Sequence, residues 1–581
     1  MIREDTLVEI YQGLPASPGI AIGPAWIYRP GRLSIQRRRI EDVDAESQRL
    51  EAAIQKALRQ LEDLSKRALT SAGANEAAIF NAHKLFLEDV ELLETLRRTI
   101  RDTRLNVEAA VEEGFEHYAK LLLALDKELF QARVHDVRDV KQRLLRILLG
   151  EDAAAAVLEG PAIVLAEDLT PSDTIQFHRE HILGLGTVQG GPTSHTAILA
   201  QALGIPAVVG VPFPLDEDLS GSTVILDGNE GRLWIAPSPR ILQEVRQRQT
   251  RWRTQQRRVR VRAHEPAVTT DGHRVKVVAN IGNTEDAQQA LDMGAEGIGL
   301  FRTEFLYLDR SSLPSQEEQV QAYRSVFEVM GNRPVVVRTL DIGGDKPAAY
   351  LAMTSESNPF LGWRAIRIVE QRPDVLQGQL RALLIAAGTT NTDLRIMVPL
   401  VSDLNEVLRA QALLEETQAT LLQQGVPLPT HMQFGMMVET PAAALLASHF
   451  ARHVDFFSIG TNDLTQYTLA VDRTNERVAH LASPYHPAVL RLIAMTAKAA
   501  HENDRWVGLC GELAGDPLAV PLLLGLEVDE FSMAPAAIPT VKEAIRRWSL
   551  SQCRRLAHEA LALPTAQAVQ QHLQKAQQSA T

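Results

Sequence analysis

The sequence predicts a multidomain α/β chain: a small α/β domain interrupted by an inserted α-helical domain, followed by a (β/α)8 barrel of the TIM type. Three observations carry this expectation. Strand-and-turn texture rich in glycine and proline flanks a stretch from Glu41 to about Leu149 that almost lacks both residues. Inside that stretch apolar residues recur at helical spacing, as in Ile79, Phe80, Leu85, Phe86, Leu87, Val90, Leu92, Leu93 and Leu96. From about Val275 onward, eight short apolar runs each lead into a helical pattern, the count and size of a (β/α)8 barrel in about 300 residues.

The first element, Gly13 to Ala25, reads as strand and turn, and the helical stretch after it as a bundle or paired hairpins. Gly150 closes the helices, and βα texture resumes with Ala162–Ala166, Ile182–Gly184 and Ala207–Gly210. Residues 1–35 with 151–237 are assigned to the α/β domain, 36–150 to the helical insert, 238–264 to a linker helix and 265–581 to the barrel. The linker carries eight arginines from Arg246 to Arg262, a charged helix face turned to solvent. The barrel runs are Val275–Asn280, Gly297–Arg302, Val335–Asp341, Leu394–Pro399, Gly435–Glu439, Phe456–Gly460, Val507–Cys510 and Glu530–Met533.

At 581 residues, a prior of one domain per roughly 150 residues gives three or four domains. A net charge of −12 repels nucleic acid unless a local basic patch intervenes, and no nucleic-acid motif is present. Two cysteines, Cys510 and Cys553, exclude a disulfide framework and suit a reducing compartment. The charged N-terminus lacks the apolar core of a signal peptide, and no run reaches the roughly 18 apolar residues of a membrane span. The expectation is a cytoplasmic chain with no membrane insertion.

The segment Gly190-Gly191-Pro192-Thr193-Ser194-His195-Thr196-Ala197 carries the first chemistry. Paired glycines let the backbone turn tightly and approach a ligand, while Thr193 or Ser194 can cap a helix that Gly204 and Pro206 end. His195 then sits in the first turn, where the positive end of the helix favours neutral, nucleophilic imidazole and later stabilises a phosphoryl group. Alone, a histidine after Thr-Ser also reads as a capping residue.

This loop resembles the phosphohistidine motif of enzyme I of the phosphoenolpyruvate-dependent sugar phosphotransferase system. Related motifs occur in pyruvate phosphate dikinase and phosphoenolpyruvate synthase. A donor site for phosphoenolpyruvate, a small trianion, needs several cations, a metal and a proton source for the enolate. Strand-end carboxylates Glu439 and Asp463 suit Mg2+, which is held by one or two carboxylates plus substrate oxygens. Arg302, Arg338 and Arg473 suit bidentate recognition of phosphate and carboxylate, and Cys510 can act as proton donor. Singly, each has an ordinary structural alternative; together, such groups end five of the eight predicted strands.

The resemblance to enzyme I is close in Asp341–Lys346, Asn358–Arg367 and Asp455–Asp472, and it covers almost the whole chain. It implies that Glu439 and Asp463 bind Mg2+, that Arg302, Arg338, Arg364, Asn462 and Arg473 hold substrate, and that Cys510 is the acid. It implies phosphoryl transfer from phosphoenolpyruvate to His195 and then to a histidine-containing phosphocarrier protein, with release of pyruvate. It also implies a swivelling phosphohistidine domain, a helical insert that docks the carrier, and a homodimer through the barrel. Thr174 is expected near the His195 imidazole and Arg133 at the carrier surface. His83 reads as a surface or capping histidine, not a second phosphorylation site.

Departures from the family pattern cluster around His195. Val188 and Pro192 stand where Asp and Arg are frequent, and Gln201 where Arg is usual. Loss of one charge-assisted contact there is worth about 1.5–3 kcal/mol if nothing replaces it. This keeps open an alternative, an autophosphorylating regulatory protein that signals by partner binding. A dikinase is set aside, since no P-loop or further nucleotide-binding domain is present in the sequence.

Overall fold

The structure is a computed structural model that describes residues 9–29, 33, 35–71, 74–124, 128–150, 158, 160–170, 172–173, 177, 179–191, 194–215, 219–308, 310, 312–343, 349–351, 356–473, 475 and 477–580. It divides into two compact units, Met1–Gln255 and Gln256–Thr581.

The first unit opens with β1 (Glu9–Gln12), β2 (Leu14–Ser17) and β3 (Ile20–Tyr28). The chain then leaves the sheet for α1 (Val43–Ser71), α2 (Ala74–Glu88), α3 (Val90–Thr103), α4 (Val107–Ala124) and α5 (Glu128–Leu149). It returns in β4 (Ala162–Ala166), which lies parallel to β3 with Ala25 opposite Ile163. Two strands so far apart in sequence yet adjacent in the sheet mark the helices as an insertion. The insert has its own core of Leu50, Ile54, Leu61, Phe80, Leu96, Ile100, Phe115, Val137 and Leu144. In α3 the buried residues Leu92, Leu96 and Ile100 follow at four-residue steps, and Asp89 caps the helix by accepting from the Leu92 amide at 2.8 Å.

The sheet continues with β5 (Ile182–Thr187), α6 (His195–Leu203), β6 (Ala207–Val209), β7 (Thr223–Asp227) and β8 (Arg232–Ile235). Its strand order is β1-β8-β7-β3-β4-β5-β6-β2. Every residue of β4 is buried, as expected of a central strand covered on both faces. Helix α7 (Pro239–Val261) follows and carries the arginine run.

The second unit begins with the two-residue β9 (Ala267–Val268) and then builds a barrel. Its strands are β10 (Arg274–Ile281), β11 (Ile298–Phe301), β12 (Val335–Arg338), β13 (Leu394–Val398), β14 (Met432–Val438), β15 (Phe456–Ile459), β16 (Trp506–Leu509) and β17 (Glu530–Met533). Each pairs in parallel with the next, and β10 pairs with both β17 and β11, so the eight strands among the described residues close on themselves. Leu300, Val336, Met397, Met437, Phe456 and Cys510 fill the interior, with Trp506 stacked on Phe456 at 4.5 Å. Polar residues that end the strands therefore gather at the C-terminal mouth, where catalytic groups of such barrels lie.

Candidate active site

Helix α6 starts at His195 because Ser194 caps it: the Ser194 hydroxyl accepts from the Ala197 amide at 3.4 Å, and Gly204 ends the helix in the left-handed region at φ 62°. Gly190, at φ 98°, makes the turn before it. This is the cap and stop that the sequence predicts. The His195 side chain, with Thr174, Pro192 and Thr193, lies outside the described residues, as does the side chain of Arg133. Gln201 donates to the Ala16 carbonyl at 2.6 Å and so ties α6 to β2. Val188 packs against the apolar core of the sheet.

His83 corrects the sequence expectation. It is fully buried on α2, with Nε2 3.1 Å from Asp136 Oδ1 and Nδ1 3.8 Å from Asp139 Oδ2. The two carboxylates come from α5, a pairing set by helix packing that local spacing does not announce.

In the barrel unit the strand ends meet in one charged cluster. Arg338, buried at the end of β12, lies 2.8 Å from Glu304, 3.2 Å from Asp341 and 4.0 Å from Glu439. Arg364 donates to both oxygens of Asp341, Nε at 2.8 Å and Nη2 at 2.9 Å, and Nη2 also reaches Asp463 at 3.1 Å. Arg473 stands 3.5 Å from the other Asp463 oxygen. Burial opposes the charge on both Arg338 and Arg364, yet their carboxylate neighbours raise both guanidinium pKa values above the usual range. Arg302 is exposed as a residue, but burial of its guanidinium and the nearby Arg338 lower its pKa, and it has no ion pair among the described residues. A cation left over at such a mouth is available to an anionic ligand.

Glu439 is buried beyond the end of β14, accepts from the Leu400 amide at 2.8 Å, and is pushed up to about 8 by burial with Asp463 and Asp341 nearby. Asp463 Oδ1 is buried and accepts no hydrogen bond. Two hard oxygen donors, Glu439 crowded by like charge and Asp463 with one oxygen that accepts no hydrogen bond and has only the ion pair with Arg473, fit a divalent cation. Among the described residues no group of three or more His, Cys, Asp or Glu could hold a metal alone. A two-carboxylate site completed by ligand oxygens is what magnesium accepts.

Cys510 follows β16, with its thiol buried 3.7 Å from the Ile459 carbonyl and pushed up to about 11 by burial. It stays a thiol at neutral pH and can give a proton. Asn462 exchanges two bonds with Glu512, its amide donating at 3.0 Å and its carbonyl accepting from the Glu512 amide at 3.1 Å. Gly343, at φ 104°, lets its loop press on Arg364: a Cβ there would lie 2.5 Å from the Trp363 carbonyl and 2.8 Å from Arg364 Cα.

The sequence reading left Glu304, Asp341 and Tyr467 without roles. Glu304 and Asp341 supply the counter-charges for Arg338 and Arg364, and the Tyr467 hydroxyl accepts from Arg364 at 3.3 Å. Glu304 lies just after one predicted run and Asp341 ends another, which was the available signal for these two.

Residues 256–550 match the PEP-binding domain of PEP-utilising enzymes, 12–133 their N-terminal domain and 158–231 their mobile domain. The phosphoenolpyruvate-protein phosphotransferase of Geobacillus stearothermophilus is 46% identical over 569 residues, covering 98% of this chain and 97% of that one. Those of Bacillus subtilis and Haemophilus influenzae are each 42% identical, over 559 and 566 residues, covering 96% and 97% of this chain and 98% of each relative. With three matched domains in the order the fold displays and identity running nearly end to end, the chain belongs to the phosphoenolpyruvate-protein phosphotransferase family.

Proposed function

We propose that the chain transfers the phosphoryl group of phosphoenolpyruvate to His195 and then to a histidine of a small phosphocarrier protein, releasing pyruvate, as the first step of a sugar phosphotransferase system. The observation that carries this reading is the barrel-mouth cluster. Arg338 and Arg364 are fixed by Glu304, Asp341 and Asp463, and Arg302 remains free beside them. Arg302, Arg338 and Arg473, with Arg364 and Asn462, hold the phosphate and carboxylate of the substrate. Preorganised cations of this kind stabilise charge on a transferring phosphoryl group without reorganising during the step.

His195 attacks phosphorus, and the bond from phosphorus to the enol oxygen breaks. The thiol of Cys510 gives its proton to C3 of the enolate, and the thiolate regains a proton from solvent. Glu439 and Asp463 would hold Mg2+, which when bound neutralises charge on the phosphoryl oxygens. Donor and acceptor groups lie in different compact units, so the phosphohistidine domain has to move between its two partners.

We assign the domains as 1–35 with 151–237, 36–150, 238–264 and 265–581. A homodimer through the barrel is supported by the exposed apolar side chains of Leu445, Leu446, Leu481 and Met495. A cytoplasmic setting is supported by two buried unpaired cysteines, and among the described residues no helix is long and apolar enough to cross a membrane.

The test is incubation with 32P-labelled phosphoenolpyruvate and Mg2+, wild type beside His195→Ala. The expected result is acid-labile protein label and stoichiometric pyruvate in wild type alone, both abolished by EDTA. Label persisting in His195→Ala would move the nucleophile elsewhere.

A further inference from the structure

A buried polar chain in the first unit takes no part in the mechanism above. On α5 of the helical insert, Asp139 is 5% exposed, and its Oδ2 accepts from the hydroxyl of Ser172 at 2.6 Å. Ser172, 4% exposed, belongs to the α/β domain, in the segment that follows β4. The same hydroxyl accepts from Arg143 Nη2 on α5 at 2.9 Å, and Arg143 Nη1 is held by Gln60 of α1 at 3.0 Å. His83 of α2 stands behind Asp139. One hydroxyl therefore receives a bond from the insert and returns one to it, in a place closed to water.

The segment that carries Ser172 is also linked to the phosphoryl-accepting helix. The hydroxyl of Thr196, next to His195, donates to the Leu169 carbonyl at 3.5 Å. Asp173 is fixed by the Thr170 hydroxyl at 2.8 Å and the Tyr28 hydroxyl at 2.5 Å. The seat of α6 is thus bonded, through Leu169–Asp173, to the face of the insert formed by α5.

We propose that the Asp139–Ser172–Arg143 contact is a latch between the helical insert and the α/β domain, which holds His195 on the side of the insert and opens for the donor step. This rests on the reading that His195 serves a donor in the barrel and a carrier docked on the insert. His195 cannot serve both from one seat, and the latch fixes one seat by bonds that water does not replace while it is closed. Ser172 is then a positioning residue, acting on the balance between two half-reactions and touching neither substrate.

The two half-reactions of Ser172→Ala test this in the full-length protein. One is labelling by 32P-phosphoenolpyruvate with Mg2+. The other is discharge of separated phosphoenzyme onto a purified histidine-containing phosphocarrier protein. Losing the shared hydroxyl should shift the ratio of the two rates by about fivefold toward the donor step, the worth of one ordinary hydrogen bond. Ser172→Cys, isosteric with a weaker donor, should shift it the same way by less. An unchanged ratio, or both rates falling together as thermal stability falls, would overturn the latch. A wild type that takes no label from phosphoenolpyruvate would instead overturn the underlying function.

Discussion

Asp341 grips Arg364 with both carboxylate oxygens, at 2.8 and 2.9 Å, while one of them also lies 3.2 Å from Arg338. A single buried carboxylate thus sets the direction of two guanidinium groups, one from the end of β12 and one from the segment that follows it. Arg338 keeps a second counter-charge in Glu304, and Arg364 keeps one in Asp463.

Asp341→Asn leaves part of that positive charge buried without its partner, which costs about 3 kcal/mol. We expect barrel stability to fall by that amount in urea titration. Labelling from phosphoenolpyruvate should fall at least tenfold, while His195 still accepts phosphate from a phosphorylated carrier. Loss of both reactions together would show that Asp341 does not act through the donor site.

Cys510→Ala removes the proton source proposed above but not the arginines. Pyruvate formation at the site should slow by about a hundredfold, the usual scale of general acid catalysis. Protonation of released enolpyruvate in solvent should lose its preference for one face of C3, which chiral-methyl analysis reads. Because burial raises the thiol from its ordinary 9.0 to about 11, the wild-type rate should show no loss by thiol ionisation up to pH 9.

Gln201 ties α6 to the Ala16 carbonyl. Gln201→Ala should cost about 1 kcal/mol in stability and leave His195 able to take label. A collapse in labelling without a change in thermal unfolding would give the side chain a direct part in transfer.

Glu530, buried at the start of β17, is raised by burial from its ordinary 4.5 to about 7. The folded state then binds the proton more tightly than the unfolded one. Stability is therefore lost as pH rises from about 4.5 to 7, by about 3 kcal/mol in all. Glu530→Gln should flatten that slope, so its advantage over wild type in thermal unfolding should be larger at pH 8 than at pH 5.

The barrel was legible because its strands are covered on both faces, which writes them as unbroken apolar runs. The run Glu530–Met533 coincides with β17 end for end, and Val275–Asn280 lies inside β10. The charged strand ends were legible for the same reason, since the run stops where the chemistry starts. Which arginine meets which carboxylate was not legible, because Arg364 reaches Asp463 across 99 residues through the closure of the barrel. His83 was misjudged on the same grounds, its partners lying 53 and 56 positions away. In the arginine run, Arg248 is bound to Asp227 at 3.0 Å and Arg262 to Glu543 at 3.1 Å, so the linker is more structured than a solvated face suggests.

The pairing of β10 with both β11 and β17 has a consequence for how the chain behaves in a crowded cell. A strand with a free side is a template on which another polypeptide can add itself. Among the described residues the closed ring leaves only the two-residue β9 in that position. The first unit keeps an open sheet bordered by β1 and β2, each four residues long, and Pro15 in β2 has no amide hydrogen to offer. Any unwanted strand-by-strand association of folded copies would therefore start at the unit that carries His195, and the borders there are short and interrupted.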